Sequence, residues 1–318
     1  WAPVLNIGTI QDIYRLSGIN SSNIWAVGTG GTILKWNGNT WSPQASGTPQ
    51  NLYGVSALDS NNVWAGGELG TILKWDNNSW KAQSSITTAS DLNDIWGRDS
   101  ENIFAVGQVG SKGVTRTIVK YSSLHHWDIQ SDGIKGTSWS VWGNDQNNVW
   151  TFGQAGIVEK DNSYTPTANI SKWNGNTWSP VASTPTRNLF SAWGTGANQI
   201  WVGTDVGWVL HWDGSTWIPQ QDTGATVPLY GLWGANANNV WATGRNGVIV
   251  KWDGTKWSSQ SSGTGEVLLK VWGTDSSNVW AVGNSGTILN SNGSMWSPQD
   301  SGTTQSLWGL WGADAAHV

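Results

Sequence analysis

Apolar and polar positions alternate in short runs along the chain, and the runs return every 39 to 40 residues at the base period. Alternation with a period of two is the mark of half-buried β-strands. The run NIWAVG closing at Gly28 comes back as NVWAGG at Gly67, NIFAVG at Gly107, NVWTFG at Gly153, QIWVG at Gly203, NVWATG at Gly244 and NVWAVG at Gly283. Self-similarity at a fixed period of this size marks a repeat architecture, in which each unit is buried by its neighbours. Every unit holds four such runs: a first of the LYGVS or LYGLWG type, then NVWAVG, then GTILKW, then WSPQ. The third and fourth are joined by Asn37-Gly38, Asn174-Gly175, Asp213-Gly214, Asp253-Gly254 or Asn292-Gly293, which suit a type I′ turn because both central residues need positive φ. The first and second are joined through Asp59, Asp99, Asp145 or Asp275 followed by small polar residues, the composition of an Asx-initiated turn. Connections this short make consecutive strands antiparallel neighbours, and a four-stranded meander repeated radially is a propeller blade.

The expected fold is therefore all-β, a β-propeller of four-stranded antiparallel blades in one domain over residues 1–318. Its repeat units are 13–51, 52–91, 92–137, 138–188, 189–228, 229–267 and 268–306, with terminal strands at 1–9 and 307–318. WAPV from Trp1 reads as a fourth strand and LWGLWG from Leu307 as a first strand, so seven complete units stand beside the two ends of an eighth. This pattern favours eight blades over seven; with seven, the terminal strands would be spare edges able to pair with another chain. Of 28 tryptophans, 25 fall at four repeat positions. Placement so regular is a packing code, with flat rings filling the gap between adjacent blades, each burying roughly 150–250 Å².

Composition narrows the function. Charged residues make up 12% of the chain and the net charge is -5, so no basic field exists to hold a phosphate backbone, and nucleic acid is excluded as a partner. There is no cysteine, which removes disulfides and thiolate metal sites. No apolar run approaches the roughly 20 residues of a membrane-spanning helix. The chain opens at Trp1 without a basic leader, so any secretion signal is expected to be already absent. A lysine-poor surface rich in Asn, Ser, Thr and Trp suggests an extracellular, cell-surface or periplasmic setting.

The run from Trp25 to Val55, WAVG followed by GTILKW, a closing Trp, SGT and L-x-G-V, resembles Asp-box (BNR-like) repeats and the photosystem II assembly-factor propellers. It also resembles tectonin and tachylectin lectin propellers in its rhythm of Trp and Gly. The resemblance covers essentially the whole chain and implies a propeller, a fold that such repeats lend to lectins, to assembly factors and, as a third reading for this chain, to glycan-active hydrolases. Trp36-Asn37-Gly38-Asn39-Thr40-Trp41 is one residue short of an Asp box, so that loop reads as a bare hairpin turn.

No catalytic constellation emerges, and the chain is expected to be non-enzymatic and to need no cofactor. Its five arginines, Arg15, Arg98, Arg116, Arg187 and Arg245, occupy different repeat positions, so no sialidase-like triad forms. His125 and His126 are adjacent on a strand and face opposite ways, and His211 stands where other units carry an exposed Lys. The acidic turns at Asp99 and Asp145 could suggest calcium, but the equivalent turns at Gly196-Ala197 and Asn236-Ala237 lack the acid.

Recognition is sought where units differ while the scaffold stays fixed. The hairpin between second and third strands begins with Thr29, Glu68, Gln108, Gln154, Asp205, Arg245 and Asn284 in turn. That hairpin is expected to share a face with the blade-to-blade connections. Units three to five depart further: an insertion from Ser111 to Arg116, another from Ile157 to Ala168 bearing Glu159, Asp161 and Tyr164, and Trp208 in place of Thr. An aromatic ring beside carboxylates and amides suits a sugar, whose C–H face stacks on the ring. The expected function is a glycan-binding, lectin-like module. The alternative is a protein-interaction or assembly scaffold.

Overall fold

The computed structural model describes residues 9, 11–83, 90–109, 116–122, 126–154, 156–160, 163–167, 170–183, 187–314 and 318. Among these, seven four-stranded antiparallel sheets form, each with its strands in chain order. Blade one consists of Ile13–Asn20, Asn23–Gly28, Ile33–Trp36 and Trp41–Gln44. Blades two to seven open with first strands Leu52–Asp59, Leu92–Gly97, Ser138–Asp145, Leu189–Gly196, Leu229–Asn236 and Leu268–Asp275. Two compact units result: Asn6–Thr186 holds blades one to four, and Arg187–Val318 holds blades five to seven. Within each unit the first strands of consecutive blades touch.

The number of blades is seven, which corrects the preference for eight. Residues 307–312 form no strand; instead Leu307 and Leu310 pack against Trp280, Val282 and Ile288 of blade seven. The Leu307 N–H donates to the Gly283 carbonyl at 2.9 Å. The segment has first-strand spacing and finds the apolar contacts that spacing calls for, but among the described residues no second strand forms a ladder with it. The expected fourth strand at Trp1 lies outside the described residues.

The packing code takes a definite form. The second-strand ring of one blade sits in the angle between the rings that end the third strand and begin the fourth strand of the next. Trp25 lies 4.9 Å from Trp75 and 5.2 Å from Trp80. Trp64 meets Tyr121 and Trp127 at 4.7 and 5.5 Å, and Phe104 meets Trp173 and Trp178 at 5.7 and 5.6 Å. The third-strand lysine roofs each cluster, Lys35 lying 4.8 Å from the Trp25 ring and 5.2 Å from Trp75, a cation over π-faces. His211, expected to be exposed, is instead half-buried in that roof position. Its ring stacks on Trp201 at 4.5 Å.

Two glycines of the repeat are explained by close approach. A Cβ on Gly67 would stand 2.0 Å from the Asn51 carbonyl oxygen, and one on Gly234 would stand 2.6 Å from the Trp193 ring of the preceding blade. The insertion in blade four also gains a definite structure: Gly156–Lys160 and Ser163–Thr167 form a hairpin that pairs with Ile134–Lys135 in a separate three-stranded sheet.

Candidate functional site

The site is built by a mismatch of strand lengths. In most blades an eight-residue first strand pairs with a six-residue second strand, so the extra residues must leave the ladder as bulges. In blade two, Leu52 faces Gly67 and Gly54 faces Gly66, which leaves Tyr53 unpaired between them. The same irregularity leaves out Tyr14, Asn93, Trp139, Tyr230 and Leu269 in their blades. In blade five it falls between Leu189 and Ala192, where Phe190 and Ser191 stand outside the ladder register. A bulge of this kind bends the strand and re-aims a side chain.

Those side chains arrive beside the second-to-third-strand hairpin. The first hairpin residue of every blade donates its N–H to the carbonyl of the residue just before the first strand: Thr29 to Asp12, Glu68 to Asn51, Gln108 to Asp91, Gln154 to Thr137, Asp205 to Asn188, Arg245 to Pro228 and Asn284 to Val267, at 2.8–3.1 Å. Hairpins and blade-to-blade connections therefore share a face within each unit. Blades one, two, six and seven tighten this hairpin into a single 3-10 turn, whose middle residue lies at positive φ: Gly30, Leu69, Asn246 and Ser285.

Across blades one to three these groups link into a continuous polar arc. The Thr29 hydroxyl donates to Tyr14 Oη at 3.0 Å. Gly30 N–H donates to Asn51 Oδ1, and the Asn51 amide and backbone N–H in turn donate to Glu68 at 2.7 and 3.0 Å. Tyr53 donates to the same carboxylate at 3.0 Å. Leu69 N–H donates to one oxygen of Asp91, and Gln108 donates to the other. The Asn51 N–H, foremost, holds the Glu68 carboxyl below the usual carboxylate range, while burial, foremost, raises the Tyr53 phenol. The arc carries a Tyr14–Tyr53 ring pair at 5.6 Å and, at Leu69, an apolar side chain 60% exposed. In the other unit the equivalent positions hold Phe190 and Tyr230, 5.1 Å apart.

The sequence-expected residues divide accordingly. Glu68 and Gln108 belong to the arc. Gln154 and Arg245 are exposed, and Asn284 is half-buried and accepts from the Ser306 hydroxyl at 3.3 Å. Trp208 is half-buried and lies under the Arg187 guanidinium at 5.0 Å, so one face of the ring expected to stack on a sugar is covered. Asp205 Oδ1 is enclosed and has no hydrogen-bond partner among the described residues. Arg116 requires a correction: its side chain is wholly buried and paired with Asp132, so it cannot meet a ligand. Glu159 and Tyr164 are cross-strand partners in the inserted hairpin, while Asp161 lies outside the described residues, as does His125.

Sequence reading missed Tyr14, Asn51, Tyr53, Leu69 and Asp91. The signal was present, since the second residue of the first strand is aromatic in five of the seven units, but a strand pattern gives no warning of a bulge. The expected turn roles of the acidic residues hold: Asp213 accepts from the N–H groups of Ser215 and Thr216, and Asp59 from those of Asn61 and Asn62. Three of the arginines are engaged separately, Arg15 with Asp94, Arg116 with Asp132 and Arg187 over Trp208. Among the described residues, no helix is long and apolar enough to cross a membrane.

No protein-family model and no curated protein sequence matches the chain. Solved structures do. The chain is similar to YCF48 bound to D1 peptide, at TM-score 0.62 and 18% identity over 90% of this chain and 93% of that one. It is similar to the computationally designed Ika8 protein, at 0.74 and 16% over 96% and 91%, and to the WD40 β-propeller domain of Doa1, at 0.60 and 11% over 92% and 95%. Likeness at these identities shows the fold, a β-propeller.

Proposed function

We propose that the chain is a non-catalytic interaction module whose hairpin face holds an extended segment of a partner protein. The observation that carries this reading is the recurring bulge, which takes an aromatic residue out of the ladder in most blades and sets it beside a hairpin of different polarity each time. Rigid rings supply contact area at low entropic cost, and varied polar neighbours supply hydrogen bonds. The arc of blades one to three is already internally hydrogen-bonded, so little ordering remains to oppose association. A structure of the same fold is described as bound to a peptide. The lectin-like reading has less support, because Arg187 covers a face of Trp208. An extracellular or cell-surface setting fits the uncharged surface and belongs to the same proposal.

The test is a parallel selection of the purified chain against a displayed library of random peptides and against a glycan array. Peptides should be recovered whose saturable binding weakens about tenfold, near 1.4 kcal/mol, in a Tyr14→Ala, Tyr53→Ala variant. Saturable hits confined to glycans, or peptide binding indifferent to those two substitutions, would refute the reading.

A further inference from the structure

Three departures from the repeat meet at one point inside the unit of blades one to four. Arg116 stands where blades one, two, five, six and seven carry Gly31, Gly70, Gly207, Gly247 and Gly286. Asp132 stands where blades one, six and seven carry Ser46, Ser262 and Ser301, and Ser171 where every other blade has Leu or Val. In the ordinary version the glycine lies against that serine: a Cβ on Gly31 would come within 2.8 Å of Ser46 Oγ, and one on Gly286 within 2.7 Å of Ser301 Oγ. In blade three the pair is exchanged for a guanidinium and a carboxylate. The Arg116 side chain is 0% exposed and that of Asp132 1%, and Ser171 is equally buried.

The three side chains satisfy one another. Arg116 donates through Nε at 2.7 Å and through a terminal nitrogen to Asp132 Oδ2, and Ser171, from blade four, donates to the same oxygen at 2.7 Å. The remaining oxygen, Oδ1, accepts the N–H of Ile134 at 3.0 Å. Ile134–Lys135 is the strand on which the inserted hairpin of blade four is built. A serine at this point makes the equivalent bond at 3.4 Å in blade one and 3.3 Å in blade six, and among the described residues no extra sheet is attached there.

We infer that Arg116, Asp132 and Ser171 form a buried anchor, particular to the junction of blades three and four, that fixes Ile134–Lys135 and so positions the inserted hairpin. Buried charges contribute little net stability relative to apolar replacements but strongly penalise any arrangement that leaves one unpaired. An otherwise uniform array thereby gains one junction with a distinct geometry, at the blade whose hairpin face has been enlarged. All three substitutions are needed together, since any one alone would strand a charge or a hydroxyl.

The deciding variant restores what the other blades carry, Arg116→Gly, Asp132→Ser and Ser171→Leu together. It should melt at or above the temperature of the unaltered chain, while the amides of Ile134, Ile157 and Val158 exchange with solvent about tenfold faster. Arg116→Gly alone should lower the melting temperature. Unchanged exchange in the triple variant, or an unchanged melting temperature in the single one, would overturn the inference. Should the triple variant not fold, Ser171→Ala keeps the ion pair and removes one hydrogen bond from Asp132; faster exchange at the same three amides is expected, and unchanged exchange would again overturn it.

Discussion

At the scale of single residues, Leu69 shows how the site is presented. Its φ is 52°, in the left-handed region that costs a residue with a Cβ roughly 1–2 kcal/mol. The matching turns use Gly30, Asn246 and Ser285, of which Gly30 carries no such cost and Asn246 little. Leu69 gains little packing in return, since it is 60% exposed. Its N–H, however, is fixed on Asp91, which holds the apolar side chain out beside Glu68. Replacing it with glycine relieves the backbone but enlarges the entropy of the unfolded chain, so the two effects partly cancel. Leu69→Gly should therefore raise stability by about 0.5–1 kcal/mol, read as a higher urea midpoint with an unchanged slope. A lower midpoint would mean that the leucine contributes packing its exposure does not suggest.

At the scale of the element, the blade was largely legible in the sequence and its bulges were not. Period-two alternation and Asn-Gly turns locate the strands, and the tryptophan positions mark the inter-blade clusters. Tyr53 looked like an ordinary strand residue because hydrophobic pattern carries no information about which residue leaves the ladder. Arg116 escapes the same reading for a related reason: a charge in an inserted hairpin reads as surface unless Asp132, 16 residues onward, and Ser171, a further 39 residues beyond Asp132, are seen to depart from the repeat together. The glycine that ends the second strand in five of the seven blades is visible as a repeat, but its cause is not. A Cβ on Gly244 would fall 2.0 Å from the Pro228 carbonyl oxygen, whose residue leads into the first strand of the same blade. Gly244→Ala must push the two strands apart where the Arg245 N–H is bound to that carbonyl. It should cost about 3 kcal/mol, the upper range for overpacking, in chemical denaturation. It should also disturb the amide resonances of Arg245 and Leu229 before those of the Asp253 turn. A cost below about 1 kcal/mol would show that the hairpin face yields more readily than close packing allows.

At the scale of the whole molecule, stability in a repeat array is close to a sum over units and their interfaces, so a feature repeated in many blades is amplified in the total. The blade count shows where this logic outruns the sequence: Leu307 and Leu310 carry the right spacing and make the right contacts, yet a strand also requires a partner for its backbone, which spacing alone does not supply. The acidic turns provide the amplified feature. Asp213 is held down to about 2, foremost by the N–H of Thr216, and Asp253 to about 2, foremost by the hydroxyl of Thr255. Asp59 and Asp275 are lowered in the same direction, foremost by the Asn61 N–H and the Ser277 hydroxyl. A carboxylate whose folded pKa lies below its unfolded one adds stability that is complete above the ordinary value of 3.8 and is lost as pH falls towards 2. His211 acts earlier in the descent. Burial lowers its pKa from 6.5, so protonation favours the unfolded chain, and stability begins to fall once pH drops below that value. The urea midpoint should thus decline in two stages between pH 8 and pH 2. His211→Lys, which installs the residue that blades one, two, three, four and six carry over the same ring, should flatten the upper stage. Asp213→Asn with Asp253→Asn should make the lower stage shallower without loss of fold, because Asn37, Asn174 and Asn292 already close the same turn elsewhere in the chain. If the lower stage keeps its full steepness in that double variant, the turn carboxylates are not the groups whose protonation loosens the blades.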